Sequence, residues 1–314
     1  MSRSLSLSAR ATYRKKGNAA MRHFSYKTQK QVMIVLFLLL PVTLLAAFGI
    51  YPAVQLVRLS FTSWNGYLPG KPWVGLDNYR EVFQSPELFR IFGHNAVYLL
   101  WGIVQNAVGL AFAILLNARL RGRNLYRVIL FLPFILNGTA VAFMFKYMYH
   151  SQVGSLNALL STIGFGHVAV SWLGNPDLVN HALGFAGFWR NMGFNMVIYL
   201  AALQSIPSDI LEAARIDGAN RQQAFVRVTL PGIVKIVELN LFLTVIGALE
   251  AFELPFLLTG GGPLGASETF VTKTMSTAFK FSDFGLASAM SVILLLLVAA
   301  VLVMQRLLMR RWSH

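Results

Sequence analysis

An arginine set in the middle of an otherwise apolar run, Arg190, is the residue of this chain best suited to recognise a charged group. A guanidinium stays charged at any physiological pH and matches a carboxylate through paired N–H bonds. In apolar surroundings it needs an anion, either on a ligand or on the protein itself. Glu250 and Glu253, in the next apolar run, are placed to serve, with Glu250 the more obvious partner. A second polar constellation begins at Ser208-Asp209, continues through Glu212-Ala213-Ala214-Arg215-Ile216-Asp217-Gly218, and is followed by Leu230-Pro231. Ser208 and Asp209 read as the capped start of a short helix, with Glu212 in its first turn favouring the positive end of the dipole. Ala213 and Ala214 give a small, smooth face that another protein can approach closely. Gly218 would end the helix, and Pro231 would begin or kink the next one. Composition alone leaves two readings of this stretch: an ordinary capped interfacial helix, or a joint that transmits force between proteins.

Other chemistries find little support. The six histidines are scattered without ligand spacing, and the absence of cysteine excludes disulfides and thiolate metal sites. No cluster of nucleophile and base stands out. The nearest approach to a phosphate-binding loop, Gly70-Lys71-Pro72, runs into a proline and lacks the GxxxxGK[ST] spacing. The expectation is a chain that hydrolyses nothing and binds no metal.

The elements that must position these residues are membrane spans. The 314 residues are 56% hydrophobic and 12% charged, with a mean hydropathy of +0.58. Soluble domains carry about 25% charge, so the natural solvent of this chain is a bilayer. A spanning helix needs about 20 apolar residues, and six candidates lie near 33–57, 95–116, 125–149, 179–203, 233–258 and 284–305. The net charge of +15 could suggest nucleic acid, but the basic residues cluster beside apolar runs, which argues against that partner. Residues 1–31 hold eight basic and no acidic residues, and 19 of the 27 Lys and Arg fall on the side that this tail shares with 117–127, the 204–235 loop and the C-terminus. The positive-inside rule therefore places both termini in the cytoplasm. Three parts follow: a basic tail over 1–31, contacting membrane lipids, an all-α integral membrane body of six transmembrane helices over 32–305, and a short tail over 306–314. The first span begins too far in and runs too long for a cleaved signal peptide. The outer segment 58–93 carries turn signals at Trp64-Asn65-Gly66 and Pro69-Gly70, then an amphipathic stretch, 76–83, expected as a short interfacial helix. Lys146 is expected to snorkel, and Gly285, Ala287, Ser288, Ala289 and Ser291 to serve close helix packing.

The string from Ile206-Pro207 to Leu230-Pro231 resembles the EAA loop of binding-protein-dependent ABC importer permeases. Further strings resemble those of the carbohydrate-uptake, maltose-permease-like branch: Phe61-Thr62-Ser63-Trp64, Val74-Gly75-Leu76-Asp77-Asn78-Tyr79, Tyr126 to Pro133, Leu258-Thr259-Gly260-Gly261-Gly262-Pro263, and Phe284-Gly285-Leu286-Ala287-Ser288-Ala289. The resemblance runs over about 32–305 and lacks the extra N-terminal spans and the large outer insertion of the maltose permease itself. It implies the type I importer architecture, with a coupling helix at 208–222 in an EAA loop over 206–232. Glu212, Ala213, Ala214, Asp217 and Gly218 would then meet an ATPase subunit.

By the same resemblance the substrate path runs mid-membrane on the two spans flanking that loop. Counting back from Ile206-Pro207 gives Gly187, Trp189, Arg190, Asn191 and Phe194; counting back from Gly261-Gly262-Pro263 gives Thr244, Gly247, Ala248 and Ala251, with Glu250 as a charge facing Arg190. Trp189 and Phe194 could stack on a sugar ring and Asn191 could bond its hydroxyls. These residues differ from those of the maltose permease, so its substrate does not carry over. The small residues leave room for an oligosaccharide, and Arg190 either pairs internally with Glu250 or Glu253 or meets a uronate-bearing sugar of the kind found in alginate or pectin. The implied partners are a second, homologous permease, two ATPase subunits holding ATP and Mg2+, and a periplasmic or lipid-anchored sugar-binding protein in a bacterial inner membrane; this chain would hold no cofactor. The alternatives are an ABC permease for another polar solute such as glycerol phosphate, and a secondary transporter, which would leave the EAA-like string without a purpose.

Overall fold

The computed structural model describes residues 25–118, 120–166 and 170–310. Most of the basic N-terminal tail, Arg119 and the end of the C-terminal tail lie outside them. Among the described residues the chain is helical with no strand, and one isolated bridge joins Thr62 to Trp73. Four helices are long and apolar enough to cross a membrane, and six spans result if each of two bent helix pairs counts as one.

Helix α1 (Tyr26–Leu59) forms a unit of its own to Arg58. It contains Pro41 and a π-turn at Ala46–Ile50, and its apolar residues cover every face, the pattern of a helix solvated by lipid.

The second unit begins at Leu59. The amphipathic stretch forms α2 (Asp77–Gln84), one residue displaced from the expected range. Its buried Asn78 anchors the preceding turn by donating through Nδ2 to the carbonyls of Ser60 and Thr62, both at 2.9 Å. Next come α3 (Pro86–Asn117), α4 (Arg123–Ile135), α5 (Gly138–Met148) and α6 (Ser155–Thr162). The central helix α7 (Val179–Gln204) leads into the polar loop with α8 (Ser208–Ile216) and α9 (Arg221–Ala224). After a π-turn at Phe225–Thr229 follow α10 (Leu230–Leu249), α11 (Glu253–Leu258), α12 (Phe270–Phe279) and α13 (Phe284–Arg310).

Two spans expected to be continuous are broken. The third, expected over 125–149, is α4 and α5 meeting at 96°. The break is written in Asn137-Gly138: Asn137 leaves the helical region and its side chain accepts from the Thr139 amide at 2.8 Å, capping a new helix. The fifth, expected over 233–258, stops at Leu249 and restarts at Glu253. Carbonyls freed by this second break would be costly in an apolar setting. Asn95 of α3 donates to those of Ala248 (2.7 Å) and Leu249 (3.1 Å), and Thr269 donates to that of Ala251 (2.6 Å).

Three buried clusters hold the unit together. Val141 and Phe145 of α5, with Tyr149 just past its end, pack on Leu183 of α7 and Leu258 of α11. Ala113 and Leu116 of α3 meet Met196, Tyr199 and Leu203 of α7 and Ile233 of α10. Val82, Leu88, Ile91, Phe270 and Met290 join α2, α3, α12 and α13. Small residues set the closest approaches, as in lipid-embedded bundles generally. A side chain on Gly193 of α7 would strike the backbone of Leu130 and Phe131 in α4, and one on Gly285 of α13 would strike the Thr62 carbonyl. Ala287, Ser288 and Ala289 are buried alongside, and the Ser291 hydroxyl turns back to the Ala287 carbonyl at 2.9 Å. Lys146 is exposed on α5. At the far end of the bundle Lys273 bridges Glu87 (2.8 Å) and Glu268 (3.6 Å). Burial works against its ammonium, but these carboxylates outweigh that and hold its pKa above the usual lysine value.

Candidate functional site

A cavity of about 350 Å3 opens between α3, α4, α7, α10 and α11. The helical period selects which residues reach it. On α7 these are Gly184, Gly187, Asn191 and Phe194; on α10 they are Asn240, Thr244, Gly247 and Ala248, with Ala251 just beyond. Arg190 and Glu253 also line the wall. Phe134 of α4 stacks on Phe194, with ring centroids 4.5 Å apart. Of the residues expected along the path, Gly187, Arg190, Asn191, Phe194, Thr244, Gly247, Ala248 and Ala251 are therefore brought together.

Two others stand apart. Trp189 lies against the buried cluster of α5 and α7, edge-on to Phe145 at 5.5 Å. A one-residue step on a helix turns a side chain by about 100°, and the aromatic ring that lines the cavity there belongs to Phe188. Glu250 sits at the break after α10, outside the cavity wall, so it is not the partner of Arg190. Glu253 takes that role, with Oε2 2.6 Å from the Arg190 Nη1. The break between Leu249 and Glu253 accounts for the exchange, because the two glutamates do not share one helix.

Residues not anticipated from the sequence also line the cavity: Tyr98, Trp101 and Gln105 from α3, and Asn195 and Asn240. The polar signal was present, since Gln105-Asn106 interrupts an apolar run where such groups face protein or a path. Asn106 ties three helices together. Its Nδ2 donates to the Thr244 hydroxyl (2.7 Å), and its Oδ1 accepts from the Tyr199 hydroxyl (2.7 Å). Thr244 in turn donates to the Asn240 carbonyl (2.8 Å). The Thr244 hydroxyl is thus committed to the bundle, whereas Arg190 keeps further N–H groups beyond the one that Glu253 uses.

The polar loop is a separate feature. Its first helix ends at Ile216, shorter than the 208–222 expected, because Gly218 adopts a left-handed φ of +82° and closes it. The second starts at Asn220 through a reciprocal cap with Gln223, at 2.8 and 2.9 Å. Ser208 is not the cap residue: Pro207 occupies that position, and the Ser208 hydroxyl donates to its neighbour Asp209 at 3.2 Å. Glu212, Ala213, Asp217 and Gly218 are exposed and Ala214 is half-buried, so α8 offers its small-residue face outward. Pro231 lies in the first turn of α10, where a missing N–H costs nothing. Among the described residues no group of three His, Asp or Glu could hold a metal ion.

Residues 105–314 match the family of binding-protein-dependent transport system inner membrane components, a range that takes in α7, the polar loop and α10. The chain belongs to this family. It is 32% identical over 280 residues to the probable ABC transporter permease protein YurN of Bacillus subtilis, covering 88% of this chain and 96% of that one. It is also 32% identical to the multiple sugar-binding transport system permease protein MsmF of Streptococcus mutans, covering 88% and 95%. The fold is shared, at a TM-score of 0.79 and 23% identity over 92% of this chain, with a chain of a bacterial ABC transporter involved in the import of the acidic polysaccharide alginate. This inner membrane component is accordingly a transport subunit with the ABC importer permease fold, and not an enzyme.

Proposed function

We propose that the chain is the permease subunit of a bacterial importer for oligosaccharides, and that its preferred cargo is acidic. The observation carrying this reading is Arg190, which lines the cavity together with the small residues Gly247, Ala248 and Ala251. A planar donor fork beside an open, partly aromatic wall suits a sugar ring bearing a carboxylate. The relative MsmF is a permease of a multiple sugar-binding transport system, which supports a sugar as cargo. Both termini are cytoplasmic in this reading, which rests on the distribution of Lys and Arg. The exposed α8 would dock on an ATPase subunit, with Glu212 and the Ala213-Ala214 face at the contact. A second permease completes the path, two ATPases hold ATP and Mg2+, and a binding protein delivers the sugar. ATP favours one state of alternating access by binding it more tightly.

A second reading has an observation of its own. The Arg190–Glu253 pair lets the arginine be satisfied internally, which suits a neutral oligosaccharide. ATP hydrolysis by the reconstituted complex, with its binding protein, separates the two. Stimulation by acidic oligosaccharides alone supports the acidic cargo; equal stimulation by neutral ones removes it.

A further inference from the structure

We propose that Glu253 is a displaceable occupant of Arg190, a built-in carboxylate that an acidic sugar must replace and that thereby sets how tightly acidic cargo is held. This inference rests on the acidic-cargo reading. Its geometry comes from three elements meeting at one point. Arg190 projects from the middle of α7, Glu253 opens α11 just after the break in the fifth span, and Gly138 opens α5 just after the break in the third. The Glu253 carboxylate bonds Arg190 Nη1 at 2.6 Å and lies in the space that any side chain on residue 138 would fill. The notch that receives it exists because residue 138 is glycine.

The pair is arranged for exchange. The Glu253 side chain is 47% exposed against 21% for Arg190, so the carboxylate is the more accessible member of the pair. A pair this exposed opens readily. A uronate can replace Glu253 on the same donor fork, one carboxylate for another, with no change in the charge count. The released Glu253 stays beside the first turn of α5, where the helix dipole favours an anion. A neutral sugar offers no such exchange, because taking Arg190 from Glu253 would leave both charges poorly matched in a largely apolar wall. The pair therefore lowers the apparent affinity of anions, which need a free Arg190, and leaves neutral cargo, which does not use the guanidinium, unaffected.

Two substitutions test this independently in the complete transporter in liposomes, with one binding protein throughout. Glu253→Gln removes the occupant's charge. Gly138→Ala puts a methyl group where the carboxylate lies, and because that carboxylate ends a flexible side chain, the methyl displaces it without moving a helix. The probes are tri-galacturonate and its fully methyl-esterified, neutral counterpart. If Arg190 is free about a tenth of the time in the unaltered protein, both variants lower the half-saturating concentration of tri-galacturonate uptake by up to about ten-fold. The ester's value stays where it was. Equal shifts for acid and ester, no shift in either variant, or loss of both substrates in both variants would make Glu253 a structural strut and overturn the inference alone. Uptake of the ester but not the acid by the unaltered protein would overturn the acidic-cargo reading and this inference with it.

Discussion

The closest helix crossing in the bundle allows a prediction with a worked magnitude. A methyl group on Gly193 would lie 2.6 Å from the Leu130 carbonyl carbon and 2.9 Å from the Phe131 Cα, closer still to the Leu130 oxygen. Carbon atoms settle about 3.5–4.0 Å apart, so α4 must retreat from α7 by roughly 1–1.5 Å. The obstacles are backbone and cannot swing aside, which puts the cost of Gly193→Ala at about 1–3 kcal/mol. Alanine's helix preference over glycine, about 1 kcal/mol, acts in the opposite direction. Gly247→Ala isolates that term, because a methyl there meets nothing within 4 Å. The difference between the two variants is thus the steric cost, and at 2–4 °C per kcal/mol it should separate their thermal midpoints by roughly 2–12 °C. The assay is thermal unfolding of the purified complex in one detergent. Gly193→Ala should also reduce uptake, because α4 carries Phe134 against Phe194 and ends at the bend that receives Glu253. Indistinguishable midpoints for the two variants would refute the packing argument.

Three further outcomes follow from the same geometry. Tyr199→Phe removes the 2.7 Å bond to Asn106 between α7 and α3 and should destabilise the complex by about 1 kcal/mol in the same unfolding assay; no change would mean the polar cluster is not holding these helices. Gly218→Ala strains a left-handed position that has open space around it, at a cost of about 1–2 kcal/mol. Asparagine at 218 should therefore support substrate-stimulated ATP hydrolysis better than valine, and equal loss in both would assign the defect to size instead. Glu212→Ala should reduce recovery of the ATPase subunits with the tagged permease, and unchanged recovery would remove Glu212 from the contact.

Much of this molecule is legible in its sequence, and the exceptions have physical causes. The first and sixth spans follow from apolar runs free of charge, the second and fourth from mostly apolar runs that carry Gln105-Asn106 and Arg190, and Gly218 does end the first loop helix. The breaks in the third and fifth spans are harder to see, because hydropathy counts apolar residues without asking whether the backbone turns. Asn137-Gly138 carries the capping signal but sits inside a hydrophobic run that masks it. Glu250 and Glu253, three residues apart, would share a face of one helix; across a break they part, and only Glu253 reaches Arg190. Counting along the chain from a motif finds Gly187, Arg190, Asn191 and Phe194 on the cavity side of α7 but does not resolve that Trp189 turns into the core while Phe188 lines the cavity. Trp101 and Tyr98 come from α3, a helix that no motif marks, and their place in the wall depends on tertiary packing.

Accumulation of a labelled acidic oligosaccharide inside proteoliposomes, driven by ATP and delivered by the binding protein, tests the account most directly. The expected result is uptake that stops without ATP or the binding protein, exceeds that of the neutral ester of the same sugar, and loses that preference in Arg190→Ala. Equal accumulation of acid and ester, unchanged in Arg190→Ala, would contradict it.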